Sequence, residues 1–186
     1  MKDQSNTLFP IFLRADRLEI LVVGGGEAGS EKVRFLMKNS PTAKLTVVAK
    51  NISDEIKEIG KNHPHIQLFE RAFSADDLNQ KKIAIIATDD AKQNKAIRDL
   101  AFLAGILTNV ADTPDLCEFY LGSVVTRGDL KVAISTNGKS PTVAKRLRQI
   151  FEELLTDDLQ HLLENLHQIR NRLTVDFQEK VKKLNK

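Results

Sequence analysis

The chain has a single cysteine, Cys117, no tryptophan and one tyrosine, Tyr120, and aromatic residues make up only 5% of it. One cysteine excludes an intrachain disulfide and any zinc or iron–sulfur site built from several thiolates. No apolar run approaches the roughly 18 residues of a membrane-spanning helix. The opening Met1-Lys2-Asp3-Gln4-Ser5-Asn6 lacks the apolar core of a secretory signal, so a cytoplasmic protein without a membrane partner is expected. Charge of one sign is scarce as well: 28 Lys+Arg against 25 Asp+Glu leave +3, too little to argue for nucleic acid. The histidines suggest no metal cage. His63 and His65 flank Pro64, while His161 and His167 are spaced off any common helix face. What is present, 41% hydrophobic and 28% charged residues in 186, fits a soluble globular domain with a small appendage and a substantial core.

Apolar runs recur along the first part of the chain. Ile20-Leu21-Val22-Val23 ends abruptly in Gly24-Gly25-Gly26, and Leu45-Thr46-Val47-Val48-Ala49, Ile83-Ala84-Ile85-Ile86-Ala87 and Ile106-Leu107-Thr108-Asn109-Val110 follow. Each has the profile of a strand buried on both faces. Between them Ala28, Val33, Leu36 and Met37, and later Ala96, Ile97, Leu100, Ala101 and Leu103, fall at helical spacing. The alternation predicts an α/β fold, a parallel sheet with helices on its faces, because parallel neighbours need a crossover. Residues 9–13 are a candidate edge strand.

The pattern changes after Asp112. The run Leu130-Lys131-Val132-Ala133-Ile134-Ser135 can pair with residues 122–126 across Arg127-Gly128-Asp129. Ser140 is a candidate N-cap with Pro141 at the first helical position, and Val143, Leu147, Ile150, Leu154 and Leu155 continue at helical spacing. Thr156-Asp157-Asp158 is a second cap candidate, ahead of one stripe of Leu159, Leu162, Leu163, Leu166, Ile169, Leu173 and Phe177. The lysine-rich residues 180–186 read as a frayed helix end.

Gly24-x-Gly26-x-x-Gly29 follows a predicted strand and opens a predicted helix, the context that a dinucleotide fingerprint requires. The first glycine permits the tight turn, the second lets the backbone approach a pyrophosphate, and the third allows close helix–strand packing. Phosphate charge would sit on the helix N-terminus. A glycine-rich turn that binds something else is the plainer alternative. Where an NAD fingerprint carries Asp or Glu at the end of its second strand, this chain reads Ala49-Lys50-Asn51. A lysine there could instead accept a 2′-phosphate, so NAD and NADP both stay open. Thr88-Asp89-Asp90, on the same carboxyl edge, fits either a cofactor contact or a helix cap. Asp112, within Asn109-Val110-Ala111-Asp112-Thr113-Pro114, would face the nicotinamide side of the crevice as a general base or acid; it also has the form of an N-cap.

Residues 127–148 hold Arg127, Lys131, Lys139, Lys145, Arg146 and Arg148 against Asp129 alone, a net +5 that leaves −2 on the remainder. An anionic ligand, an acidic partner or a solvated helix face would each account for it. Other motifs fail. Gly138-Lys139-Ser140 lacks the first glycine of a P-loop, since Ala133 stands there. Val124, not lysine, lies four residues after Tyr120, and Cys117 suits a packed small hydrophobe better than a nucleophile.

Several segments in fixed order carry a family resemblance. They are Phe9-Pro10-Ile11-Phe12-Leu13, Leu21-Val22-Val23-Gly24-Gly25-Gly26 with Lys32-Val33, Ala87-Thr88-Asp89-Asp90 with Asn94, and Asn109-Val110-Ala111-Asp112. Cys117-Glu118-Phe119, Arg127-Gly128-Asp129-Leu130 and Ala133-Ile134-Ser135-Thr136-Asn137-Gly138-Lys139-Ser140-Pro141 follow, with Ala144 and Leu147-Arg148. Over almost its whole length the chain resembles the precorrin-2 dehydrogenase family, the dehydrogenase and ferrochelatase part of siroheme synthase. The resemblance implies NAD-dependent oxidation of precorrin-2 to sirohydrochlorin on the route to siroheme; some members also insert ferrous iron or cobalt. It implies a Rossmann domain, a central α+β segment through which two chains interlock as a homodimer, and a short helical carboxyl-terminal domain. Here these would be residues 1–112, 113–140 and 141–186.

Carried over residue by residue, Gly24, Gly25, Gly26 and Gly29 with Glu27 and Ala28 would hold the cofactor pyrophosphate. Lys50 and Asn51 would lie by the adenosine ribose, with Thr88 and Asp89 as further cofactor contacts. Asp112 would be the catalytic base. Asn109, Arg127, Ser135, Lys139, Ser140 and Arg148 would meet the substrate, whose many carboxylates suit the basic window. No resident metal is implied. The chain departs from the family at Ala28-Gly29, where Val-Ala is common, and at Tyr120-Leu121-Gly122, where a proline-containing stretch is usual. The 186 residues have room for the dehydrogenase unit and not for the methyltransferase domain of the fused siroheme synthases. The rival expectation is a non-catalytic NAD-binding module that senses redox state; it needs the glycine loop but has no use for a carboxylate at Asp112.

Overall fold

A computed structural model describes residues 6–156 and 158–172. Residues 1–5, Asp157 of the second cap candidate, the side chain of Leu162, and residues 173–186 with Leu173, Phe177 and the lysine-rich tail lie outside the described residues. The chain forms two compact units, the second beginning at Gly122.

In the first unit β1 (Glu19–Val23), β2 (Lys44–Ala49), β3 (Ile66–Glu70), β4 (Ile83–Ile86) and β5 (Leu107–Val110) make one parallel sheet in the order β3-β2-β1-β4-β5. Three helices cover it: α1 (Glu27–Asn39), α2 (Asp54–Asn62) and α3 (Ala91–Leu103). Successive strand residues point to opposite faces. Ile20, Val22, Leu45, Val47, Ile83 and Ile85 therefore join Val33, Leu36 and Met37 of α1 and Ile56 of α2 in one core. Leu21, Val23, Val48, Ala84 and Ile86 join Ile97 and Ala101 of α3 in another. Two cores explain why these strands read as unbroken apolar runs.

Three local features differ from expectation. Residues 9–13 form no strand, and Phe9 and Phe12 are 86% and 67% exposed; Pro10 has no N–H to give a ladder, and the carbonyl of Leu13 turns back locally to the amide of Ala15. Helix α2 and strand β3 arise where no apolar run announces them, because α2 buries only Ile56 and β3 is a sheet edge with alternate residues in solvent. On α3 the buried face is Asn94, Ile97 and Ala101, whereas Leu100 and Leu103 are exposed. A polar residue can hold that inner position because both its amide nitrogen and its oxygen are hydrogen-bonded to Thr88.

The second unit begins with an antiparallel hairpin, β6 (Ser123–Arg127) and β7 (Leu130–Ile134). Gly128 opens its two-residue turn at φ +53°, where a side chain would be strained. Helix α4 (Pro141–Leu154) starts as the sequence predicts, with Ser140 Oγ accepting from the amide of Val143. Arg127 ties the hairpin to the end of this helix, donating to the carbonyls of Leu155 at 2.8 Å and Glu152 at 3.0 Å. Helix α5 (Asp158–Arg172) follows. No helix among the described residues is long and apolar enough to cross a membrane.

Candidate active site

The order of the sheet reverses between β1 and β4, and in open parallel sheets a crevice forms at the carboxyl ends of such a pair. The glycine loop lies there. Gly24 takes φ +124°, and a Cβ on it would stand 2.1 Å from the carbonyl oxygen of Ala87. A Cβ on Gly25 would lie 2.2 Å from the carbonyl oxygen of Asn51, and one on Gly29 the same distance from that of Gly24. These three glycines let the loop, the turn after β2 and the first turn of α1 touch backbone to backbone. Gly26 is different: nothing lies within 4 Å of where its Cβ would be. It is the N-cap of α1 and offers no side-chain bond, so the leading amides, including those of Glu27 and Ala28, have no cap from it. Glu27 is exposed and Ala28 half-buried. An open Cβ position over an uncapped helix start fits a phosphate group.

Asp112 follows β5 on the same edge. It sits in a turn at φ +56°, a region that Asp tolerates better than most residues. It is not the helix cap that its sequence context allows. The short 3₁₀ turn Pro114–Leu116 has Thr113 as its N-cap, and the Asp112 carboxylate is exposed with no hydrogen bond or ion pair among the described residues. Its backbone is held from below. The thiol of Cys117 accepts from the amide of Val110 at 3.2 Å, and the carbonyls of Val110 and Thr113, each at 3.3 Å, are within reach of its proton. Burial pushes this thiol up from its ordinary pKa, which keeps the proton available. Cys117 is thus both packed and hydrogen-bonded.

The segment beyond Cys117 folds back on β5. The Glu118 carboxylate accepts from the amide and the hydroxyl of Thr108 and from Arg98 at 2.6 Å. Burial pushes the Glu118 carboxyl up, but the Thr108 and Arg98 bonds outweigh it and hold the group below its ordinary value. Arg98 also lies over the Phe102 ring, 4.6 Å from its centre. Asn109 is 7% exposed and donates to the carbonyl of Phe119 at 2.9 Å.

The other cofactor candidates line the same edge. Lys50 and Asn51 are exposed in the turn after β2. Thr88 is bracketed by buried Asn94, whose amide donates to the Thr88 carbonyl at 2.9 Å and whose oxygen accepts from the Thr88 amide and hydroxyl. Asp90 caps α3 through the amides of Lys92 and Gln93; Asp89 is exposed beside it. The remaining substrate candidates all belong to the second unit. Arg127 holds the end of α4, Arg148 pairs with Glu152 one turn on, Ser140 caps the helix, and Ser135 Oγ accepts from the amide of Asn137. Lys139 is exposed just before the cap. Asn94, Cys117 and Glu118 gave no functional signal in the sequence beyond their place in the resemblance, because each acts on a backbone six to ten residues away. Glu70, at the end of unannounced β3, gave none at all.

Residues 11–123 match the family described as "Putative NAD(P)-binding". The chain belongs to that family. Residues 127–154 match the family described as "Sirohaem biosynthesis protein central". The siroheme synthase of Nitrosomonas europaea is 36% identical over 168 residues, covering 90% of this chain and 35% of that protein. The siroheme synthase of Pseudoalteromonas atlantica is 33% identical over 175 residues, covering 94% and 37%. The chain therefore spans about a third of the length of the curated relatives it matches. Among solved structures, that of SirC, precorrin-2 dehydrogenase, aligns with a TM-score of 0.72 at 23% identity over 96% of this chain and 88% of that one, a likeness of fold.

Proposed function

We propose that this chain is an NAD-dependent precorrin-2 dehydrogenase unit, oxidising precorrin-2 to sirohydrochlorin on the route to siroheme. The observation that carries the proposal is a juxtaposition on one sheet edge. An uncapped helix start behind a glycine turn follows β1, and an exposed carboxylate with no partner among the described residues follows β5, the second strand away. A fold that only holds a dinucleotide needs the first feature and not the second.

In this proposal the backbone of Gly24, Gly25, Gly26, Glu27, Ala28 and Gly29 takes the pyrophosphate, Lys50 and Asn51 flank the adenosine ribose, and Thr88 and Asp89 stand across the crevice. NAD, when bound, supplies the hydride acceptor. Asp112 takes the proton that leaves the macrocycle with that hydride, so the substrate loses two hydrogens and two electrons. The turn under Asp112 keeps its carboxylate out of local bonds and ready for that proton. Positive potential from residues 127–148, with Arg127, Lys139 and Arg148 beside Ser135 and Ser140, favours the carboxylates of the tetrapyrrole. Asn109 is a further substrate contact, its Nδ2 held by the carbonyl of Phe119. The proposal extends to a cytoplasmic homodimer and to ferrous iron or cobalt as a chelation substrate, with Asp112 taking the pyrrole protons.

The test is to mix purified protein with precorrin-2 and NAD and to follow NADH together with the sirohydrochlorin spectrum. Coupled appearance of both is expected. No turnover with NAD or with NADP would overturn the dehydrogenase and leave the redox-sensing module. Metal insertion is measured separately under anaerobic conditions, as a rate above the spontaneous one.

A further inference from the structure

The carboxylate missing from the end of β2 has a counterpart one strand away. Glu70 is the last residue of β3 and pairs in register with Ala49, the last residue of β2. Its side chain crosses to the turn after β2: one carboxylate oxygen, Oε1, accepts from the amide of Ile52 at 2.9 Å and from Lys57 Nζ at 3.2 Å. That turn is built against the glycine loop. The carbonyl of Asn51 fills the space over Gly25, and the amide of Ser53 donates to the Gly25 carbonyl at 3.0 Å. Glu70, the turn 50–53 and the glycine loop are thus one connected structure at the end of the crevice where a dinucleotide fold places its adenosine ribose.

A carboxylate has about four acceptor positions. Oε1 uses two, and Oε2 has no partner among the described residues while Glu70 itself is exposed. The Ile52 amide, and after it Lys57, hold the Glu70 carboxyl below its ordinary value, so it is charged at neutral pH. Lys57 already pairs with it, and Lys50 on the same turn is the opposing feature.

We propose that Glu70 is the ribose-reading acid of this site: Oε2 accepts from a ribose hydroxyl, and the charge selects a 2′-hydroxyl over a 2′-phosphate, so that NAD is preferred to NADP. The proposal rests on the cofactor assignment above. It makes Glu70 a specificity residue that does the work usually given to an acid on the neighbouring strand, and it answers the choice that Lys50 leaves open.

Equilibrium titration of NADH and NADPH tests it, and the absence of tryptophan leaves nucleotide fluorescence free of indole emission. Glu70→Gln keeps an acceptor for the Ile52 amide and removes the charge. The unmodified protein is expected to bind NADH more tightly, and the preference to fall by about tenfold in Glu70→Gln. Glu70→Ala should lose the preference and weaken both nucleotides, because the turn loses its prop. Binding of both nucleotides with an unchanged ratio in Glu70→Gln would overturn this proposal alone, as would tighter binding of NADPH by the unmodified protein. Binding of neither by the unmodified protein would overturn the cofactor assignment and this proposal with it.

Discussion

Gly24 and Gly26 stand two residues apart and answer to different demands. Gly24 is required by the fold: a methyl group would meet the Ala87 carbonyl at 2.1 Å, at a φ of +124° that L-residues avoid. Gly24→Ala should therefore cost about 3 kcal/mol or more. At Gly26 a methyl group meets no protein atom, so Gly26→Ala should unfold within about 1 kcal/mol of the parent. It should still lose about tenfold or more in NADH affinity, because the methyl occupies the phosphate's place. Thermal unfolding and fluorescence titration of the two variants separate these effects, and unimpaired binding by Gly26→Ala would remove the phosphate from that position. Asp112 permits a similar separation. Asn accepts a φ of +56° as readily as Asp, so Asp112→Asn should keep stability within about 0.5 kcal/mol. It should retain NAD binding while precorrin-2 oxidation falls by about 100-fold or more. Turnover at the parent rate would remove the base assignment.

At the scale of elements, the loop 111–119 is fastened to β5 by Cys117 and Glu118, and the second fastening depends on pH. The Glu118 carboxyl is held below its ordinary value of 4.5 in the folded chain. A lowered folded pKa gives stability that is complete above the unfolded value and is lost as pH falls through the folded one. Glu118→Gln should therefore be less stable than the parent by about 1 to 3 kcal/mol at pH 7, with the gap closing as the pH falls through the folded value of this carboxyl. Urea denaturation at several pH values reads this directly, and a gap that does not shrink on acidification would refute it. The same elements explain what could be read from sequence. Strands β1, β2, β4 and β5 lie between two cores, so burial on both faces leaves an apolar run. The edge strand β3 exposes Gln67, Phe69 and Glu70 and leaves no such trace, and with it Glu70 was hidden. Residues 9–13 err in the other direction, being apolar without being a strand. Of the candidate site, the glycine loop and Asp112 are legible because strand ends locate them. Cys117, Glu118 and Asn94 are not, because their partners are backbone groups that only the fold brings near.

For the whole molecule, the formal charge of +3 conceals a division between a basic window at 127–148 and an acidic remainder. The structure adds that part of this window is committed internally, Arg127 to the end of α4 and Arg148 to Glu152. Helix α4 also leaves Val143, Leu147, Ile150 and Leu154 exposed in the single chain. Their spacing of four, three and four residues makes one stripe, and a contiguous apolar stripe of this kind marks a contact surface. The proposed homodimer would cover it. The protein should then sediment at twice the chain mass at about 50 µM. Leu147→Glu places a charge in the middle of the stripe and should weaken association by about thirtyfold or more. It should leave NADH binding intact, since α4 lies in the second compact unit and the glycine loop in the first. A monomeric parent, or a Leu147→Glu variant that stays dimeric at the same concentration, would exclude this face from the interface. Loss of NADH binding on dissociation would instead mean that the cofactor site is completed only in the dimer.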